Sequence, residues 1–187
     1  MARLAQTADL TDLQKEILST VRDFVDKEII PNATQLEHAD EYPEQIVKGM
    51  AEMGLFGLTI PEEFGGLGES LLTYALVVEQ IARGWMSVSG VINTHFIVAY
   101  LLMQHGSDEQ KSRLLPKMAT GEVRGAFSMS EPDVGSDVAG IKSRATRVAD
   151  GFTLNGQKMW LTNGSRAGVV ATLVKTDEGG ETVHRNM

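Results

Sequence analysis

Two stretches in the last third of the chain combine residue types that could hold a planar or anionic ligand. The first is Phe127-Ser128-Met129-Ser130-Glu131-Pro132-Asp133-Val134-Gly135-Ser136-Asp137. It couples a strand-like run to a polar turn, and such a turn can direct several amides and hydroxyls at one group without a cationic side chain. The second is Gly156-Gln157-Lys158-Met159-Trp160-Leu161-Thr162-Asn163-Gly164, which sets an indole and a hydroxyl two residues apart. On a strand, period two turns Trp160 and Thr162 to the same side. A flat apolar ring beside a hydroxyl suits a heteroaromatic cofactor, packed on one and bonded at its edge by the other. Periodicity alone favours a structural hairpin with a core Trp.

Other chemistry is thinner. Gly65-Gly66-Leu67-Gly68 has no following Gly-Lys-Ser/Thr and no preceding strand, so it reads as a connector and not a phosphate loop. His38, His95, His105 and His184 lack metal-ligand spacing, and Glu131, Asp133 and Asp137 lack the alternation of a calcium loop, so no metal site is expected. Those acids read as a hydrogen-bonded turn. With 0 cysteines there is no thiol nucleophile, no disulfide and no Cys-ligated metal.

The elements that must carry these stretches are helices first and strands after. Thr11 and Gln14 have capping-box spacing ahead of an apolar face of Leu13, Ile17, Val21, Phe24 and Val25, and Pro31 is expected to stop that helix. Pro43 suits the first turn of a second helix carrying Ile46, Val47, Met50 and Met53, with Gly54 closing it. Residues 56–68 read as a loop. Helical pattern resumes over 70–82, breaks near Gly84, and continues through Val91, Ile92, Ile97 and Leu101. Ser107 and Gln110 form a second capping box, Pro116 is expected to end or kink its helix, and Gly121 closes the helical region.

From about residue 123 the pattern changes. Residues 124–130, 143–149, 152–154 and 158–162 read as strands, with hairpin turns at Asp150-Gly151 and Asn155-Gly156. The apolar run 169–174 reads as a buried strand, and 182–187 as the approach to another. The expected fold is α+β: a helical bundle, residues 1–122, followed by an incomplete antiparallel β-domain, residues 123–187. The unfinished strand pattern suggests the front part of a larger protein or one half of a split one.

Over 187 residues, 17 Lys+Arg against 25 Asp+Glu give a net charge of −8, which argues against a nucleic-acid partner. Arg3, Gln6, Thr7 and Asp9 do not form a signal peptide. The most apolar stretch, 88–103, is broken by Asn93, Thr94 and His95 and reads as too short to span a bilayer. A cytoplasmic protein with no membrane span is expected.

The two ligand-holding stretches resemble the flavin-binding signatures of the acyl-CoA dehydrogenase family, Thr-Glu-Pro-x-x-Gly-Ser-Asp and Gly-x-Lys-x-Trp-Ile-Thr-Asn-Gly. Ile60-Pro61-Glu62-Glu63-Phe64-Gly65-Gly66 and Leu115-Pro116-Lys117-Met118-Ala119-Thr120-Gly121-Glu122 are similar to segments of that family's helical domain. Ser130 stands where Thr is usual, and Leu161 where Ile is common. The resemblance covers essentially the whole chain.

It implies FAD as cofactor and an acyl-CoA as substrate. Phe127, Ser128, Met129 and Ser130 would line the pyrimidine side of the flavin. Trp160 would flank the ring system, Leu161 beside it belongs to the implied cofactor-binding set, Thr162 would bond near N5, and Ser136 would sit by the thioester and pantetheine arm. The implied reaction is α,β-dehydrogenation to the trans-2-enoyl-CoA in fatty acid metabolism, with electrons passed to an electron-transferring flavoprotein. Members of the family are usually homotetramers. Their base is a Glu on a C-terminal helical domain, and no residue here matches its context, so the fragment alone is expected to be inactive. The alternatives are an acyl-CoA oxidase, a nitroalkane oxidase or a flavin monooxygenase on the same scaffold, and a non-catalytic half-subunit.

Overall fold

A computed structural model describes residues 10–176. The expected loop and strand approach beyond residue 176, and the polar start of the chain, lie outside the described residues. The chain divides into two compact units, with the division between Val123 and Arg124.

The helical unit begins with α1, Asp12–Phe24, whose N-terminus carries the expected capping box. Thr11 Oγ1 accepts the Gln14 N–H at 3.2 Å, and Gln14 Oε1 accepts the Thr11 N–H at 3.0 Å. Pro31 does not stop the helix. A π-turn over Val25–Ile29 intervenes, in which the Ile30 N–H reaches back five residues to the Val25 carbonyl, and α2 then runs Ile30–His38. In an unbroken α-helix the Pro31 ring would collide with the carbonyl four residues earlier. The wider turn places the proline in the first turn of the next helix, where no N–H is required. The Asn32 side chain supplies a donor to the Glu28 carbonyl at 2.8 Å.

Helix α3, Glu44–Glu52, starts behind Pro43 and closes at Gly54, which lies at φ 73° as a left-handed terminus requires. Two short 3₁₀ turns, Leu55–Gly57 and Glu62–Phe64, follow. The glycine-rich connector is closely packed: a Cβ on Gly66 would lie 2.0 Å from the Ile60 carbonyl oxygen. Backbone contact, not phosphate binding, therefore accounts for a glycine at that position.

Helices α4, Leu71–Gly84, and α5, Met86–His105, are separated by the extended residue Trp85. The second capping box, Ser107 with Gln110, opens α6, Asp108–Ala119. Pro116 sits inside that helix and does not end it. By length and composition α5 is sufficient to cross a membrane, which corrects the reading of this stretch as too short. Its buried face, with Val88, Ile92, His95 and Ala99 at 0% exposure, is that of a core helix. The core gathers Val21, Val25, Ile29, Met50, Phe56, Leu58, Val77, Ile81 and Ile92 from helices and connectors alike.

In the second unit β1, Gly125–Ser128, pairs in parallel with β4, Val169–Thr172, in the register Gly125↔Val169 to Ser128↔Thr172. The strands β2, Arg144–Val148, and β3, Gly151–Asn155, form an antiparallel hairpin, and β5, Lys175–Thr176, pairs in parallel with β2. The helices-then-strands architecture is as expected. The antiparallel arrangement holds for β2–β3 alone among these pairs; β1–β4 and β2–β5 are parallel, which the intervening chain makes possible.

Three further expectations are corrected. The β2–β3 loop, Ala149–Asp150, contains no positive φ, so it is not a type I′ turn. Asn155-Gly156 ends β3 without opening a second hairpin, and residues 158–162 form no strand. The apolar strand β4 is half-buried, with Val170 44% exposed, because in a two-stranded sheet nothing among the described residues covers that position.

Candidate functional site

The first of the two stretches, residues 127–137, leaves β1 and bends sharply. The Glu131 N–H donates to the Val134 carbonyl at 2.8 Å and the Val134 N–H returns to the Glu131 carbonyl at 3.1 Å, so Pro132 and Asp133 form a two-residue loop. Proline's fixed φ suits the first loop position. Phe127, Met129 and Ser130 are half-buried, while Ser128 is 2% exposed.

The second stretch runs alongside. The Met159 N–H donates to the Ser130 carbonyl at 2.9 Å, and Lys158 Nζ donates to the Met129 carbonyl at 3.0 Å. The structure thus brings Ser130 and the Trp160 segment together, as the flavin reading requires. It does so without a strand: Trp160 lies at φ 59° and Asn163 at φ 66°, so strand alternation does not apply between Trp160 and Thr162. Trp160 is 82% exposed, which overturns the alternative of a core Trp. Leu161 is half-buried and Thr162 exposed.

Asn163, not singled out from the sequence, anchors the far end. It is 8% exposed, and its Nδ2 donates to the Gly125 carbonyl at 3.0 Å. Its tolerance of the left-handed region was a usable signal. Ser136 lies exposed in the loop after the bend. Gly135 beside it has no positive φ and open space where a Cβ would stand, so this turn does not require glycine.

Glu131 was expected to be a turn residue and not a base, and its surroundings agree. It is 6% exposed and accepts from the Lys142 N–H (2.6 Å), the Ser143 N–H (2.9 Å) and Lys158 Nζ (2.9 Å). Burial pushes its carboxyl up. The adjacent Ser143 side chain, the two amides and the Lys158 ammonium outweigh that and hold it at about 2. A carboxylate so held is a poor proton acceptor near neutrality. Asp133 pairs with Lys142 at 2.9 Å, and no acid–histidine cluster suited to a metal exists among the described residues.

The donor set left at this strand end fits a flavin. Among the described residues, the carbonyls of Ser128, Met129 and Ser130 are taken by Leu173, Lys158 and Met159, whereas the N–H groups of Met129 and Ser130 have no protein acceptor. Unmatched amides at the end of a strand paired on one edge, next to an exposed indole, suit a planar group with acceptors along its rim.

The helical unit holds a separate cavity of about 430 Å³, walled mainly by Leu71, Phe96, Ile97, Tyr100, Leu101 and Met103. Tyr74 and Asn93 give it a polar patch, with the Tyr74 hydroxyl donating to Asn93 Oδ1 at 2.5 Å. Burial raises the Tyr74 phenol above its ordinary value, keeping it protonated as a donor.

Residues 11–122 match the family model of the acyl-CoA dehydrogenase N-terminal domain, and residues 126–187 that of the acyl-CoA dehydrogenase middle domain. Mitochondrial isovaleryl-CoA dehydrogenase of Solanum tuberosum is 39% identical over 169 residues, 89% of this chain and 41% of that protein. The crystal structure of glutaryl-CoA dehydrogenase from Mycobacterium smegmatis superimposes with a TM-score of 0.84 at 37% identity, covering 92% of this chain and 45% of that one. The structure of an acyl-CoA dehydrogenase complexed with FAD from Bacillus anthracis does so with a TM-score of 0.83 at 33% identity, covering 92% and 30%. The chain spans less than half the length of each of these relatives. With both domain models matched in order along the chain, it belongs to the acyl-CoA dehydrogenase family.

Proposed function

We propose that this chain supplies a FAD-binding face and an acyl-binding helical wall of an enzyme that oxidises acyl-CoA thioesters to trans-2-enoyl-CoA. The observation that carries this reading is the pairing of unmatched Met129 and Ser130 amides with the exposed Trp160, joined through the Met159–Ser130 hydrogen bond. In this reading the Met129 and Ser130 N–H groups and the Ser130 hydroxyl donate to the acceptor rim of the flavin. Phe127 and Leu161 pack at its edges, Ser128 supports the strand end, and Trp160 covers apolar ring surface. The Thr162 hydroxyl is the donor assigned to the position near N5. Bound FAD would supply the hydride-accepting chemistry.

Ser136, exposed beyond the bend, is the residue assigned to the pantetheine arm. The apolar cavity of the helical unit is assigned to the acyl tail, since its walls are mostly aliphatic and aromatic. Among the described residues Glu131 offers no base at the site, since three donors hold it, and family resemblance assigns the base to a Glu whose context no residue of this sequence matches. An electron-transferring flavoprotein is the proposed electron acceptor and a homotetramer the proposed assembly, both resting on that resemblance.

Titration of the purified chain with FAD tests the reading. Saturable binding with one FAD per chain and quenched flavin fluorescence is expected, with no turnover of acyl-CoA by the 187-residue chain when an artificial acceptor is present. Absence of FAD binding overturns the flavin face, and turnover overturns the missing base.

A further inference from the structure

Lys158 and Glu131 are charged, buried and untouched by the flavin assignment above. Their side chains are 11% and 5% exposed, and they meet at 2.9 Å. Burying an ion pair is costly unless the remaining hydrogen-bonding capacity is filled. Here Glu131 takes two backbone amides in addition to the ammonium, and the ammonium takes the Met129 carbonyl.

That last bond has a directional consequence. The Met129 carbonyl and the Ser130 N–H belong to one planar trans peptide, so they point in opposite directions. A cation held on the carbonyl fixes the plane, keeps the Ser130 N–H pointing away from Lys158, and polarises it as a donor. The same side chain lies two residues before Trp160. With the indole 82% exposed, its own packing does little to hold the φ 59° backbone, which must be fixed by the ties on either side. Those ties include Lys158 and Met159 before it, and after it the Gly164 N–H to the Leu161 carbonyl (2.9 Å) and Asn163.

We propose that Lys158, oriented by Glu131, is a positioning residue that aims the Ser130 amide and the Trp160 ring at the same ligand. This rests on the flavin reading of the β unit. Glu131 acts through Lys158, and neither side chain touches the flavin.

The test compares Lys158→Met, Lys158→Arg and the double variant Glu131→Gln/Lys158→Met in the purified chain. FAD affinity, the visible spectrum of bound flavin and the urea midpoint are measured on each. Loss of an orienting partner one step removed from a ligand weakens binding by roughly 10- to 100-fold, and that range is expected for Lys158→Met. Lys158→Arg, which retains a cationic donor, should recover most of the affinity. The double variant removes the unpaired buried charge, so its urea midpoint should recover while its FAD affinity stays low. If affinity recovers together with the midpoint, or if Lys158→Met binds FAD as the unaltered chain does, the ion pair is only a stabiliser and the proposal falls.

A chain labelled with 5-fluorotryptophan separates this outcome from failure of the flavin reading. If the unaltered chain binds no FAD, the flavin face is wrong. The fluorine resonance of Trp160, assigned with Trp160→Phe, then reads the clamp alone. A shifted or broadened signal in Lys158→Met supports it, and an unchanged one overturns it.

Discussion

Trp160→Gly should separate stability from ligand binding more sharply than any other substitution in the β unit. The indole is 82% exposed, so little of it packs in the folded chain. A Trp side chain offers roughly 250 Å², of which about 200 Å² is therefore available, and a flat ligand covering one face would remove about 100 Å² from water. At about 25 cal/mol per Å² that is ~2.5 kcal/mol, or roughly 70-fold in Kd. The backbone works in the opposite direction. Holding an L-residue at φ 59° costs roughly 1–2 kcal/mol, which glycine relieves, against about 0.5–1 kcal/mol for the added freedom of glycine in the unfolded chain. The variant should thus be as stable as the unaltered chain or slightly more so, while binding FAD some tens of times more weakly. Isothermal titration calorimetry gives the affinity and scanning calorimetry the stability. A Kd within threefold of the unaltered chain refutes the indole as ligand surface. A loss of more than about 1 kcal/mol refutes the account of Trp160 as an exposed, strained residue.

Two further outcomes follow from buried geometry. The Glu131 carboxyl takes up its proton at about 2 in the folded unit and near its ordinary 4.5 when unfolded, so its stabilisation is complete above pH 4.5 and lost as pH falls toward 2; the urea midpoint of the β unit, followed by NMR of its amide signals, should fall over that window, and Glu131→Gln should flatten the fall. In the glycine-rich connector, Gly66→Ala puts a Cβ 2.0 Å from the Ile60 carbonyl oxygen and must displace the Gly68–Ile60 and Leu67–Gly57 hydrogen bonds, for a cost of about 2–4 kcal/mol. Gly65→Ala meets open space at φ 80° and should cost about 1–2 kcal/mol, so helical circular dichroism in urea that ranks Gly65→Ala as the worse of the two would contradict the packing argument.

Much of the helical unit was legible because its signals are local. Thr11 with Gln14 and Ser107 with Gln110 specify capping boxes within four residues, and both form as expected. Gly54 ends α3 for a reason contained in its own φ. Pro31 was expected to stop its helix and does not, and Pro116 does not end its own, because a proline's effect depends on what the neighbouring backbone can absorb. Pro31 is accommodated by a π-turn whose inner residues, Val25 and Ile29, are 0% exposed, so tertiary packing at those positions can offset an irregular turn. Pro116 lies inside α6, with Leu115 and Met118 on either side fully buried. A residue-by-residue reading registers the missing N–H and cannot weigh it against burial.

In the β unit, motif order placed Ser130 and Trp160 in one site, and strand periodicity then gave the wrong account of how they get there. An alternating strand would have turned Trp160 and Thr162 to one face by regular geometry. The chain instead departs from strand geometry at the residues where a ligand would lie, and substitutes side-chain ties for ladder hydrogen bonds: Lys158 to the Met129 carbonyl, Asn163 to the Gly125 carbonyl. Both ties end on carbonyls of the first ligand-holding stretch or its strand. They consume acceptors there, and among the described residues the amides of Met129 and Ser130 have no protein partners. A regular strand laid beside 128–130 would have used donors and acceptors alternately and left fewer amides for a ligand. The irregularity that defeated the periodicity argument is therefore what gives this segment an unmatched donor set, and Glu131, a turn residue in the sequence reading, is tied to it through Lys158.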